Sequence, residues 1–351
     1  MGSRLKAGAV VTVCMAALVA ASCGSDDDNG GGSGGGDEAF AKLKPGEASV
    51  YCVGECKEAL RLTQKARDAS CKVGVSWSDT SFPYGAAAIS RSEETAKGFP
   101  NMELFTTDAR GDAATQSSQV DDLIARGVDV LILSPADAKA LAPAAKRATD
   151  KGIKVIASDR NVDSPVSTYI GSDNVEAGRV GGEYIVETLG GKGNVVELQG
   201  SLGASPTIDR NKGFEEALQG SDIKVIASET ADYARDKGLQ VMENLLQRFG
   251  AGEIDAVFTH NDEMSLGAIQ AIREAGRQDE IKVVGVDGQE SALRAIEAGQ
   301  YAATVVYPLP VPEHILAAAK LCAGESLPKR IQQENPLATA DNVAKFDGTT
   351  F

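Results

Sequence analysis

Apolar residues in this chain fall into short runs of strand length, and these alternate with stretches of helical period over most of the sequence. From Lys72 the order reads strand "VGVSW", helix from Tyr84 to Lys97, strand "MELFTT", then a helix through "AATQSSQVDDLIARG". Two longer segments, Val128 to Arg160 and Ile254 to Gly288, repeat one pattern. In each, an apolar run ends in polar residues, a helix of small apolar and charged residues follows, and a second apolar run stops at an aspartate, Asp159 or Asp287. Strand-helix-strand units build parallel sheets, and ligands of open parallel sheets bind outside the carboxyl ends of the strands. Both copies place their polar residues there.

Between the copies, "NVDSPVSTYIGSDN" reads as a polar turn. A second series then runs helix from Val175 to Leu189, strand "NVVELQ", helix "PTIDRNKGFEEAL", strand "KVIASE" and helix "ARDKGLQVMENLLQRF". After the second copy come a crossing, "YPLPVPE", a helix from His314 to Cys322 and the run "IQQENPLAT". The proline spacing of the crossing excludes regular helix or central strand, so the chain is expected to return to its first half. The pattern predicts an α/β protein of two similar Rossmann-like lobes with parallel sheets, joined by a multi-crossing hinge. One lobe takes residues 71–172 plus 308–332, and the other takes 173–307 plus 333–351. Residues 40–70, with "YCVGEC" and one short helix over "CKEALRLTQKARDA", form an N-terminal extension to which the sequence assigns no role.

Composition narrows the class. The chain has 351 residues, enough for about two domains. Its 42% hydrophobic and 5% aromatic content, with 38 glycines, suits cores of Ala, Val, Ile and Leu. A formal charge of -15 argues against a nucleic-acid partner, because phosphate binding needs a basic surface.

The first residues read as an address. Arg4 and Lys6 precede an uncharged stretch from Ala7 to Ser22 that ends "LVAASC". That stretch is too short and too rich in small residues for a spanning helix, and it suits a secretory signal. Small residues before Cys23, then "GSDDDNGGGSGGGDE", resemble a bacterial lipoprotein signal: residues 1–22 removed, lipid on Cys23, and residues 23–39 as a flexible tether. The expected location is outside the cytoplasm, in the periplasm or lipid-anchored to the outer face of the cytoplasmic membrane. Of six cysteines, Cys14 leaves with the signal and Cys23 carries lipid. Cys52, Cys56, Cys71 and Cys322 remain, with three possible disulfide pairings that stay open. A metal site is not expected, since the Cys52 to Cys56 spacing has no second Cys or His pair nearby and the chain's two histidines are His260 and His314. No motif calls for a cofactor: the loop "GSLGASPT" lacks the Gly-Lys-Ser/Thr of a phosphate-binding loop, and Gly200 and Gly203 read as turn residues.

The strand ends carry the candidate chemistry. Asp159 and Arg160 follow "VIAS", Asn261 and Asp262 follow "AVFTH", and Asp287 follows "VVGV". Taken singly, each has a structural explanation: a surface ion pair for Asp159 and Arg160, a helix cap for Asp262 or Asp287. Together, planar polar groups at related strand ends point to a site, with Asn261 as a ligand-facing amide. Arg210 lies within a helix and can reach inward. Tyr233 follows a strand, and Trp77, Phe82 and Tyr84 gather after the first strand. Carboxylates, amides and guanidiniums that form paired hydrogen bonds, with flat apolar surfaces beside them, suit polyhydroxylated ligands. Four or five hydrogen bonds to charged groups, at roughly 1.5–3 kcal/mol each, cover the roughly -8 kcal/mol of a micromolar carbohydrate complex after the cost of closing two lobes.

Here "IASDRN", "VVELQGSLGASPTIDRNKGF", "ASETADYARDKGLQVMENLL", "HNDEMSLGAIQAI" and "VVGVDG" resemble the ribose-type (type I) periplasmic sugar-binding proteins, the substrate receptors of ABC sugar importers. The second segment is especially similar to galactofuranose-binding members, and the likeness runs from about Lys72 to Asn335. It implies a hinged, two-lobed receptor, monomeric and non-enzymatic, that delivers a monosaccharide to a membrane permease driven by an ATPase. By matching positions, Asp159, Arg160, Arg210, Asn261 and Asp287 would be polar sugar ligands, with Tyr233 and Tyr84 at aromatic positions. Ribose receptors carry a glutamine near the place of Tyr307, and "SWSDTSFPY" lacks their paired-asparagine and double-phenylalanine pattern. These departures point away from ribose itself and leave a pentose or hexose.

Three other readings compete. Sugar-responsive repressors begin with a helix-turn-helix where this chain begins with a signal. A receptor for a membrane signalling partner is indistinguishable by sequence. A glycosidase would use Asp159 and Asp287 as its carboxylate pair, but Arg160 and Arg210 are expected to hold nearby acids ionised rather than leave one as a general acid.

Overall fold

A computed structural model describes residues 43–44 and 46–351; the expected signal, Cys23 and the tether lie outside them. Two helices come first, α1 (Glu55–Ala59) and α2 (Gln64–Asp68), where the sequence suggested one. The break falls at Thr63, whose extended backbone leaves the helix and whose hydroxyl caps α2 by accepting from Ala66 N. Next come β1 (Cys71–Trp77), α3 (Pro83–Ala96), β2 (Met102–Asp108), α4 (Ala113–Ala125), β3 (Val130–Leu133), α5 (Ala142–Asp150), β4 (Lys154–Ser158) and β5 (Thr168–Ser172). The second series is α6 (Asn174–Thr188), β6 (Lys192–Gln199), α7 (Ser205–Leu218), β7 (Asp222–Thr230), α8 (Arg235–Arg248), β8 (Ala256–Thr259), α9 (Asp262–Glu274), β9 (Lys282–Asp287), α10 (Glu290–Glu297) and β10 (Ala303–Val306). The chain closes with α11 (Glu313–Cys322), β11 (Arg330–Gln333), β12 (Leu337–Thr339) and a 3-10 turn, Val343–Lys345.

Among the described residues these strands make two sheets, β11-β5-β4-β3-β1-β2 and β12-β10-β9-β8-β6-β7. All pairings are parallel except β10 with β12. Strands covered on both faces need apolar residues at successive positions, which accounts for their near-continuous Val, Ile and Leu runs. In the first sheet Val73, Val130, Ile132 and Ile156 face one core and Leu131, Leu133 and Val155 the other. The second sheet divides Val196, Leu198 and Val257 from Val195, Phe258 and Val284 in the same way. The result is two α/β lobes. The chain passes between the sheets after Ser172, between Val306 and Glu313, and between Gln333 and Leu337, and α11 packs on the first sheet through Ile315 and Leu316.

One element departs from the sequence reading. The segment expected as a polar turn contains β5, fully buried despite its Thr, Tyr, Gly and Ser. Thr168 Oγ1 donates to Pro328 O, and Tyr169 OH lies within hydrogen-bond reach of both Ser172 O and Asp159 O, while Ser172 Oγ is buried without a partner. Gly171, at φ 153°, is required there, since a Cβ would lie 2.8 Å from the Tyr169 hydroxyl.

The cysteines pair Cys52–Cys56 and Cys71–Cys322. The second bond ties the first residue of β1 to the last of α11, 251 residues on. A bridge over so long a loop restricts the unfolded chain and typically stabilises by ~2–4 kcal/mol.

Candidate functional site

The carboxyl ends of both sheets open on one cavity of about 510 Å³, counted with its mouth. All ten residues singled out from the sequence line it: Trp77, Phe82, Tyr84, Asp159 and Arg160 from the first lobe, Arg210, Tyr233, Asn261 and Asp287 from the second, and Tyr307 from the crossing. Ser78, Asp79, Gly85 and Pro206 complete the lining. The lobes touch around it. Asn161 N donates to Ser205 Oγ at 2.8 Å and Ala138 N to Gly203 O at 3.2 Å, so the cleft is closed over the cavity.

Asp159 sits just past β4 at φ 66°, one of three strained site residues with Tyr233 at 63° and Asp287 at 134°. Non-glycine residues rarely hold such angles, and they do so where surrounding contacts fix them, often at binding sites. Asp159 Oδ1 accepts from Tyr307 OH at 2.9 Å and from Tyr84 OH at 3.3 Å, and Oδ2 lies 3.7 Å from Arg160 Nε. That Nε is buried without a hydrogen-bond partner, and the Arg160 guanidinium stands 5.6 Å from the Tyr233 ring centre. A buried donor left over at a cavity wall invites an acceptor from a ligand.

Arg210 does reach inward from α7 and is 3% exposed. Its Nε donates to Asn174 Oδ1 at 2.9 Å, its Nη1 donates to His260 O, and it covers the Tyr307 ring at 4.4 Å. Burial opposes its charge, but Tyr233, Tyr307, Asp287 and Asp159 around it outweigh that and keep it cationic. Behind it, His260 is held neutral by burial; its Nδ1 accepts from Gly200 N and its Nε2 donates to Glu197 at 2.9 Å. Burial alone would raise the Glu197 carboxyl, yet hydrogen bonds from His260, Ser228 and Asn211 bring it down to about 2. These positioning groups escaped the sequence reading. Their partners are dozens of residues apart, and a lone Glu inside "NVVELQ" carries no signal of burial.

The second lobe corrects several expectations. Asn261, not Asp262, caps α9: its Oδ1 accepts from Met264 N at 3.0 Å while its Nδ2 donates to Tyr233 O at 3.1 Å. Its amide thus faces the cavity already engaged. Asp262 is fully buried, accepting from Tyr301 OH and Thr304 Oγ1, both at 2.7 Å, and from Gln289 N at 2.9 Å. Burial pushes its carboxyl up to about 7. Asp287 caps nothing either, because α10 begins after Gln289. Nor does Arg210 hold the Asp287 carboxyl down as the sequence suggested: burial, reinforced by Asp262 and Asp159, raises it well above the usual range. Gly200 is more than a turn residue, since a Cβ there would lie 2.0 Å from the Tyr233 ring.

Tyr233 OH pairs with Thr207 Oγ1 at 2.8 Å, and Tyr307 OH receives the Asn174 amide at 3.0 Å. Burial raises the phenols of Tyr84 and Tyr307 well above their ordinary value, so both remain hydrogen-bond donors. The wall therefore offers carboxylate acceptors, guanidinium donors and tilted aromatic rings, with Trp77 to Tyr84 at 6.4 Å and Tyr84 to Tyr307 at 5.8 Å. Ser78 is buried among the lining residues, and no Cys or His lines the cavity beside it. The arrangement can hold a small neutral molecule with several hydroxyls.

Residues 73–313 match the family model described as a periplasmic binding protein domain. The chain is 39% identical over 234 residues to the ribose import binding protein RbsB of Bacillus subtilis (strain 168), covering 66% of this chain and 75% of that protein. It is 38% identical over 247 residues to a xylitol-binding protein of Mycolicibacterium smegmatis, covering 69% and 70%. Among solved structures, a galactofuranose binding protein superposes with a TM-score of 0.75 at 31% identity, over 78% of this chain and 96% of that one.

Proposed function

The chain belongs to the ribose-type periplasmic sugar-binding family of ABC importers, whose members are receptors and not enzymes, and from that premise we propose that it captures a monosaccharide, a pentose or hexose, in the closed cleft and delivers it to a membrane permease. The observation that carries this reading is the meeting of Asp159 and Arg160 from one lobe with Arg210 and Asp287 from the other around one cavity. A small polyol with hydroxyls on opposite sides would be gripped from both lobes, which favours closure over it. Asp159 and Asp287 would accept ligand hydroxyl protons, Arg160 and Arg210 would donate to ligand oxygens, and Tyr84, Tyr233, Trp77 and Phe82 would cover C–H faces. Relatives named for ribose, xylitol and galactofuranose share a small neutral polyol as ligand type. Export behind a cleaved signal, a lipid anchor at Cys23 and action as a monomer complete the proposal.

The experiment is mass spectrometry of ligand released from protein purified without added sugar, followed by calorimetric titration of the sugar found. A pentose or hexose bound one to one near micromolar affinity is expected. Since Trp77 is the chain's single tryptophan, its emission should change in the same titration. Absence of any bound or bindable sugar across common pentoses and hexoses contradicts the proposal.

A further inference from the structure

The segment from Val343 to Phe351 lies beyond the region that matches the family model, yet it reaches the cavity wall. Val343 and Phe346 are part of the second lobe's core, whereas Phe351 packs against the core of the first. The Phe351 ring meets Tyr84 edge-on, with centres 5.2 Å apart and planes at 82°. Two backbone contacts fix the segment. Arg91, seven residues after Tyr84 on α3, donates Nη2 to Thr350 O at 3.2 Å. Glu290 N, three residues after Asp287, donates to Phe351 O at 3.0 Å. Thr349 Oγ1 is in turn paired with Tyr51 OH at 2.7 Å, which ties the segment to the N-terminal extension.

Tyr84 has a demanding place. Its hydroxyl stands 3.3 Å from both Asp159 Oδ1 and Pro308 O, so a small swing of the ring breaks one bond or the other. Phe351 supports that ring from outside the cavity, on a segment rooted in the opposite lobe. We propose that Phe351 is a positioning residue for ligand recognition, setting the place of Tyr84, and through it the Asp159 acceptor, when the lobes close. The inference rests on the reading of the cavity as a sugar site and adds a residue that touches no ligand.

The test is calorimetry on the full chain with D-ribose, D-xylose, D-galactose and xylitol, in wild-type and Tyr84→Ala backgrounds. Phe351→Ala is expected to weaken the best-bound of these by about tenfold in the wild type and by less than about twofold once Tyr84 is gone, because coupled residues are non-additive. Phe351→Tyr, which keeps the ring, should retain wild-type affinity within about twofold. Equal losses in both backgrounds, or no loss in the wild type, overturn the proposal. If Phe351→Ala melts at assay temperature, Phe351→Leu in the same two backgrounds gives the same comparison. Wild-type protein that binds none of the four probes, nor any sugar recovered from it, removes the sugar-site reading and this inference together, whereas wild-type binding with additive losses removes only this inference.

Discussion

Asp159 and Asp287 occupy the same place in the repeated strand-helix-strand unit, yet their surroundings are opposite. Asp159 is ringed by donors: the hydroxyls of Tyr307 and Tyr84 on one oxygen and Arg160 beside the other. Asp287 has a second buried carboxylate, Asp262, as its neighbour, with Arg210 and the Asp262 backbone to offset it. Asp262 takes the Tyr301, Thr304 and Gln289 donors for itself. A repeated backbone therefore supplies a position, while the elements packed around it decide whether the group there is satisfied or held in tension. The satisfied carboxylate builds the site; the tense one is free to respond to what enters it.

The contrast breaks most sharply at Asp159. Asp159→Ala leaves two tyrosine hydroxyls without their carboxylate acceptor and Arg160 without its ion-pair partner, and it should cost ~2–4 kcal/mol in urea unfolding as well as abolishing tight ligand binding. Asp287→Ala should weaken binding more than about tenfold while leaving the unfolding midpoint unchanged or higher. Equal destabilisation by the two variants would erase the distinction drawn between them.

A pH series sharpens the same point. The folded-state pKa values of Asp262 and Asp287 lie above the unfolded carboxylate value, so the stability they contribute is full below pH ~4 and is lost as pH rises through their folded values, about 7 for Asp262. Ligand-free protein should thus lose stability from this pair across that window, and Asp287→Asn, which removes the like charge, should reduce that loss relative to the wild type. The buried, neutral His260 and His314 tilt the wild-type profile the other way over the same range, so the readout is the difference between the two proteins, and an Asp287→Asn profile parallel to the wild type speaks against the crowded pair. The smallest effect is expected from Tyr307→Phe, which removes one hydroxyl between Asp159 and Asn174 and should cost ~1 kcal/mol of stability.

Much of this was legible in the chain, and for identifiable reasons. Strands buried on both faces write themselves as Val and Ile runs, so β1, β3, β4, β8 and β9 and the polar residues at their ends could be read directly. The strand Thr168–Ser172 could not, because its burial depends on acceptors such as Pro328 O that are brought to it from 160 residues away. The exchange of roles between Asn261 and Asp262 was hidden for another reason. Both residue types cap helices equally well, and only the Tyr301 and Thr304 hydroxyls, contributed by a later part of the chain, draw Asp262 inside. Glu197 and His260 likewise show their pairing only in the fold. Tyr307 entered by family resemblance, and Phe351 not at all, since its partner is 267 positions earlier.

The central claim is that two strand ends from opposite lobes grip one ligand. Parallel calorimetric titrations of wild type, Asp159→Ala and Asp287→Ala with the sugar recovered from the protein test it most directly. The account predicts one-to-one binding by the wild type and a loss of more than about tenfold in each variant. Wild-type affinity in either variant would contradict it.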